Sequence, residues 1–157
     1  MARPPKFDRD VALVAAMQVF WEKGFDRTSI SDLTAAMGIS PPSLYAAFGD
    51  KQALFDAAVD LYEQHAVVPP ALKAPTAREV VEQIFSRAVD LYTQPTHPRG
   101  CLVIADPTLQ KRRRRGKEAL VRRLRRAKDS GDLPGDSNPR ALADYIDMVL
   151  RGMSSKA

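Results

Sequence analysis

The sequence predicts an all-α protein: an N-terminal three-helix domain that contains a helix-turn-helix, followed by a C-terminal helical bundle. Three observations carry this. Residues 28–51, TSISDLTAAMGISPPSLYAAFGDK, hold helix start and stop signals spaced for two short helices and a tight turn. Apolar residues elsewhere recur at helical spacing, and no stretch alternates as a half-buried strand would. With 157 residues, 45% hydrophobic and 27% charged, the chain has the composition of an ordinary soluble protein and the length for one or two domains.

Taken in order, the first helix is expected from about Arg9 to Lys23. Leu13, Ala16, Met17, Phe20 and Trp21 share its inner face, Phe7 and Asp8 precede it as staple and cap, and Gly24 terminates it. Ahead of it, Arg3-Pro-Pro-Lys6 reads as a short basic arm. Ser29 and Asp32 form a capping-box pattern that opens the next helix, with Ile30, Leu33 and Met37 on one face and Gly38 as its stop. After Ile39 alone, Ser40 caps a helix whose first turn accepts Pro41 and Pro42, because first-turn N–H groups have no intrahelical acceptor. Leu44 and Phe48, four apart, supply the inner face of that helix, so that two crossed helices share one core. Gly49 and Asp50 end it and cap a longer helix from Lys51, which Val68-Pro69-Pro70 is expected to stop.

The three prolines between Val67 and Pro75 mark the expected boundary between a domain at 6–66 and a second at 76–157. The second opens on Thr76 and Glu79, another capping-box pair, with Val80, Ile84, Ala88 and Leu91 as the stripe of its helix. An arginine-rich helix follows from about Gln110 to Asp129 with Leu120, Leu124 and Ala127 inward. After the turn-rich Gly131 to Pro139, the last helix presents Leu142, Tyr145, Ile146, Val149, Leu150 and Met153. That stripe is expected to be a dimer surface.

The net charge of +5 suits a nucleic-acid binder, yet its distribution does not locate the site. Residues 1–66 carry six Lys or Arg against nine Asp or Glu, whereas residues 111–128 carry eleven against one. The helix-turn-helix is therefore acidic overall, and phosphate contact depends on placing Arg3, Lys6, Arg27 and Lys51 on one face. One cysteine and two histidines exclude an intramolecular disulfide and fall short of a four-ligand zinc site. No metal or cofactor is expected. No apolar run approaches the roughly 20 residues of a membrane helix, and MARPPKFDRD lacks a signal-peptide core, so a cytoplasmic location is expected.

The pattern TSIxDLxxAxGIS, then SLYxxF, then DKxxLF resembles the DNA-binding domain of the TetR family of transcriptional regulators. Phe20, Gly24, Thr28, Ile30, Leu33, Gly38, Ser40, Leu44, Tyr45, Phe48, Lys51 and Leu54 keep the family register from about Phe7 to Tyr62. Gly100-Cys101-Leu102-Val103 and Gly131-Asp132-Leu133-Pro134 resemble features of one subgroup. The chain departs from the family in length, with fewer residues after the Cys-Leu-Val segment and without a further closing helix.

The resemblance implies that the helix after Ser40 lies in the major groove. Ser40, Pro41, Pro42, Ser43, Tyr45 and Ala46 then become DNA-binding candidates, with Tyr45 on a phosphate and Ala46 and Ala47 near thymine methyls. Family members seldom carry both prolines and have bulkier residues at 46 and 47, which shifts specificity toward DNA shape. Thr28, Ser29 and Lys51 stand at helix starts that suit phosphates. The function implied is a ligand-responsive repressor that binds a pseudo-palindromic operator as a homodimer, with an unidentified small-molecule effector and no enzymatic activity.

Three further readings come from the residues themselves. Cys101 is a candidate sensor if His97 or arginines lower its pKa, against a role as a small core residue. The arginine-rich helix is either a solvated face or a site for an anionic partner, which gives nonspecific polyanion binding as an alternative function. An enzyme would rest on His97 as base and Cys101 as nucleophile, with no orienting acid or oxyanion motif beside them.

Overall fold

The computed structural model describes residues 7–156, all of whose regular structure is helical. The basic arm, with Arg3 and Lys6, lies outside the described residues. These residues divide into two compact units that part between Glu63 and Gln64, inside the last turn of one helix.

The N-terminal unit consists of α1 (Arg9–Lys23), α2 (Ile30–Met37), α3 (Pro41–Phe48) and most of α4 (Lys51–His65). Local chemistry sets each boundary. Asp8 caps α1 by accepting from the N–H groups of Asp10 and Val11. Ser29 and Asp32 form the full reciprocal capping box on α2, and Gly38 ends that helix in the left-handed conformation at φ 65°. Ser40 caps α3, whose first two residues are the prolines. The core of the unit is aromatic. Phe55 packs against both Phe20 and Phe25 with ring centroids 4.9 Å apart in each pair, and Trp21 meets Tyr62 edge-on at 4.9 Å. Leu33, Leu44 and Leu54, one from each of α2, α3 and α4, close it and are fully buried.

The C-terminal unit holds α5 (Val68–Ala71), α6 (Ala77–Thr93), α7 (Leu102–Ala105), a 3-10 turn at Pro107–Leu109, α8 (Gln110–Asp129) and α9 (Pro139–Lys156). Here the proline segment forms a short helix of its own. Pro69 and Pro70 occupy the first turn of α5, where the missing N–H groups cost nothing, and Ala71 and Ala74 are buried as α5 packs on α6 and α8.

Long-range polar clamps fix the helix starts of this unit. Thr76 and Glu79 complete the expected capping box on α6, and the Asp132 carboxylate accepts the Ala77 N–H at 2.6 Å from 55 residues away. Arg123 of α8 donates from Nη2 to the carbonyls of Ala74 and Pro75, so the chain entering α6 is held from two sides. This gives the Gly131-Asp132 motif a physical role. α8 and α9 are cross-linked by Lys117–Asp144 at 2.9 Å and Arg140–Glu118 at 3.0 Å, above a core of Leu120, Val121 and Leu124 against Ala143, Ile146 and Leu150.

The last helix corrects one expectation. Ile146 is 3% exposed and Leu150 6% exposed, both buried within the chain's own bundle and absent from its surface. The apolar stripe of α9 is wider than one interface needs: its inner half seals the bundle and its outer half stays open. That outer half carries Leu142, Tyr145 and Met148, with Tyr145 59% and Met148 60% exposed, while Val149 and Met153 lie half-buried.

Candidate nucleic-acid interface

The apolar spacing of α3 dictates what it shows to solvent. Burying Leu44 and Phe48 at i and i+4 turns Pro41, Pro42, Tyr45 and Ala46 outward, with Ser43 and Ala47 at the margin. Tyr45 is 49% exposed, an amphipathic ring held on a rigid eight-residue helix and available to a partner. Ser40 and Ser43 are less free than their sequence positions suggest. The Ser40 hydroxyl accepts the Ser43 N–H and pairs with the Ser43 hydroxyl at 2.9 Å, so any contact with DNA must share groups already used to start the helix.

Thr28 does not belong to this surface. It is 2% exposed, its hydroxyl donates to the Gly24 carbonyl at 2.7 Å and its N–H donates to Phe25, which makes it the bolt of the turn between α1 and α2. No side-chain donor is left for phosphate. Ser29 is exposed, but its N–H and hydroxyl both donate to the Asp32 carboxylate, at 2.9 and 2.8 Å. The start of α2 thus carries its own anion.

Asp32 also receives Lys23 Nζ at 2.7 Å. The Lys23 hydrogen bond first, and the Ser29 N–H and hydroxyl after it, hold the Asp32 carboxyl well below the usual carboxylate range. Because the folded-state pKa is depressed, the resulting stabilisation is complete above the unfolded value of about 4 and is lost as pH falls below it. Melting of the N-terminal unit should therefore decline with acidification below about pH 4. Asp32→Asn should flatten that decline while lowering the neutral-pH melting temperature. Parallel pH profiles for the two proteins, followed by circular dichroism, would refute this role for Asp32.

The positive charges of the unit are few and individually positioned. Lys51 Nζ sits 4.4 Å from the centroid of the Phe25 ring, at the start of α4, where Asp50 accepts the Ala53 N–H. Arg9 places its guanidinium 4.6 Å over the ring of Phe48, beside the end of α3, and is a candidate that sequence reasoning missed. Its signal is absent from any local pattern, since the ring it uses lies 39 positions away in a different helix. Arg27 bonds the Lys23 carbonyl through Nε and remains exposed. Stacking on a ring orients a cation without neutralising it, so Arg9 and Lys51 keep their charge for an anionic partner.

The C-terminal candidates are arranged differently. Cys101 is buried, and its N–H donates to Ser154 Oγ at 2.9 Å. Gly100 beside it has φ 76°, and a Cβ there would lie 2.7 Å from the Ser154 carbonyl oxygen, so only glycine fits this close approach. The Tyr92 hydroxyl is hydrogen-bonded to the Cys101 sulfur. Burial, followed by the negative charge that sulfur carries when ionised, pushes tyrosine ionisation above its ordinary range. His97 turns Nδ1 to the Pro98 carbonyl at 2.9 Å. This is a packed thiol lacking the solvent access that reaction with electrophiles requires in the folded state. No helix among the described residues is long and apolar enough to cross a membrane, and they contain no cluster of three or more His, Cys, Asp or Glu suited to a metal ion.

Comparison with known proteins agrees with this geometry. The family model of bacterial regulatory proteins of the tetR family matches residues 12–58, the span of the helix-turn-helix and its supporting helices. The HTH-type transcriptional repressor ComR of Escherichia coli (strain K12) is 30% identical over 171 residues, covering 99% of this chain and 81% of the repressor. The match is longer than the chain's own 157 residues, so the repressor carries internal segments that this chain lacks. The uncharacterized regulator YezE of Bacillus subtilis (strain 168) is 34% identical, over 93% of this chain and 84% of its own. Among solved structures, a cysteine mutant of the TetR family regulator CifR, complexed with 26-base-pair double-strand operator DNA, is 37% identical with a TM-score of 0.87, covering 99% of this chain and 88% of that one. The chain therefore belongs to the TetR family of bacterial transcriptional regulators.

Proposed function

We propose that this chain is a transcriptional repressor that binds a pseudo-palindromic operator as a homodimer and releases it when a small molecule occupies the C-terminal unit. The observation that carries the reading is α3: its apolar side chains are buried, its caps are complete, and Tyr45, Ala46, Pro41 and Pro42 face solvent. A short rigid helix presented in this way by a helix-turn-helix fits a major groove. Support comes from the repressor names of ComR and of BdcR, also of Escherichia coli, and from operator DNA in the CifR complex.

In this reading Tyr45, Lys51, Arg9 and Arg27 contact phosphate, while Ala46, Ala47 and the prolines line the groove. Small apolar groups read few base edges, so DNA shape contributes to sequence preference. The chain acts as a non-enzymatic regulator in the cytoplasm. It falls within the subgroup marked by Gly100-Cys101-Leu102-Val103, a reading supported by the close approach of Gly100 and Cys101 to Ser154. Footprinting on DNA that flanks the protein's own gene tests the whole reading. A protected pseudo-palindrome with half-sites about 34 Å apart, or a multiple of that, is the expected result, and uniform protection without sequence preference would refute it.

A dimer needs a surface, and the outer half of α9, with Leu142, Tyr145 and Met148 exposed, supplies it. Exposed apolar side chains along one helix face mark an interaction face. Replacing Tyr145 and Met148 together with Asp should yield a monomer in sedimentation, with helicity retained because neither side chain belongs to the core. A dimer of unchanged stability would place the interface elsewhere.

A further inference from the structure

The N-terminal half of α8 violates the electrostatics of helices. Lys111 to Arg115 are five consecutive cations in the first turns, where the macrodipole is positive and acidic residues are favoured, and no acid stands in the first turn. Like charges so placed repel one another and the helix end, and departures of this kind from local rules gather at functional sites. Facing them across a cleft of about 360 Å³ are Asp147 and Arg151 of α9; Lys111, Arg113, Arg114 and Lys117 form the α8 wall.

The cations of the cleft differ in what already holds them. Lys117 is paired with Asp144, and Arg151 with Asp147, each at 2.9 Å. Arg113 is locked by Nη1, which donates to the carbonyls of Val103 at 2.7 Å and Asp106 at 2.8 Å. Its Nε and Nη2 make no hydrogen bond among the described residues, and these two nitrogens form the edge that grips a phosphate or carboxylate bidentately. Lys111 and Arg114 are exposed and have no ion-pair partner among the described residues. A guanidinium anchored on its far side, next to two uncompensated cations, is a prearranged anion site.

We propose that this cleft binds a small anion carrying two or more phosphoryl groups. The dimensions select that class. From Lys111 to Lys117 the α8 wall rises about 9 Å, longer than one tetrahedral oxyanion and suited to a short phosphate chain. The volume also lies in the range of small-ligand pockets. Walls on both sides favour a compact ligand over a nucleic-acid duplex, which would need a convex or flat face. The inference is independent of how α3 is used.

The test is calorimetric titration of the full chain with tripolyphosphate, orthophosphate and a nucleoside triphosphate, beside a duplex of unrelated sequence. Saturable binding of tripolyphosphate is expected, with orthophosphate weaker by about tenfold or more, since it spans only one end of the wall. A nucleoside triphosphate that binds equally identifies the phosphate chain as the whole ligand, and one that binds more tightly adds a contact from its base or sugar; either supports the site. Lys111→Glu with Arg114→Glu should cut tripolyphosphate affinity by about tenfold or more, and both side chains are exposed, so the fold should stand. Arg151→Gln, on the opposite wall, should weaken it several-fold. The proposal is overturned if tripolyphosphate gives no saturable heat, or if either variant binds as the parent does. It is overturned equally if only the duplex binds and loses affinity in the α8 variant, which would make α8 a nucleic-acid face.

Discussion

Tyr45→Ala should weaken operator binding by about ten- to a hundredfold, the loss of one hydrogen bond to a charged phosphate oxygen together with the ring that carries it. The effect should be nearly uniform across operator variants, because a phosphate contact fixes register without reading sequence. Melting should move by only a few degrees, since the side chain is 49% exposed and lies outside the core. Gel-shift titration at one fixed salt concentration is the measurement, because affinities at different ionic strengths are not comparable. Parent-like affinity would remove Tyr45 from the interface. A loss confined to particular operator bases would assign it to base recognition.

Phe20→Ala should abolish the same activity by a different route. Phe20 is fully buried and packs edge-on against Phe55, so its removal costs about 3 to 5 kcal/mol. A unit of this size has a total stability of the same order, roughly 0.05 to 0.15 kcal/mol per residue. The N-terminal unit should therefore lose cooperative folding near physiological temperature. Hydrogen exchange resolved along the chain distinguishes this from Tyr45→Ala: protection of α1 to α4 should collapse with Phe20→Ala and persist with Tyr45→Ala. Full protection of α2 and α3 in the Phe20 variant would show that the aromatic cluster is not what holds the helix-turn-helix.

The helix-turn-helix was legible because its boundaries are written locally. Ser29 with Asp32, Gly38, Ser40 before two prolines, and Gly49 with Asp50 each act within four residues, a range that a linear reading covers. Features closed through space were not. Thr28 looks like a helix start and is a buried bolt: its hydroxyl reaches back only four residues to the Gly24 carbonyl, but its burial to 2% exposure comes from packing that no local pattern shows. Ile146 and Leu150 lie on the same periodic stripe as Tyr145, and periodicity reveals an apolar face without saying whether its own chain or a second one covers it. The arginine helix read as a solvated face or an anion site. In the fold Arg113 and Arg123 serve as carbonyl clamps, a role set by the loops they reach and invisible in their spacing.

The bond from Asp132 to Ala77 has a consequence in time. The ribosome adds about 5 to 20 residues per second, so α6, which ends at Thr93, is complete for roughly 2 to 8 seconds of translation before Asp132 has been made. During that interval the Ala77 N–H has only water, and the nascent helix relies on Thr76 and Glu79 alone. Docking of the Gly131-Asp132 turn is then a late event in the birth of the C-terminal unit. Ribosome-stalled chains ending before and after position 132 should differ in the protease resistance of α6.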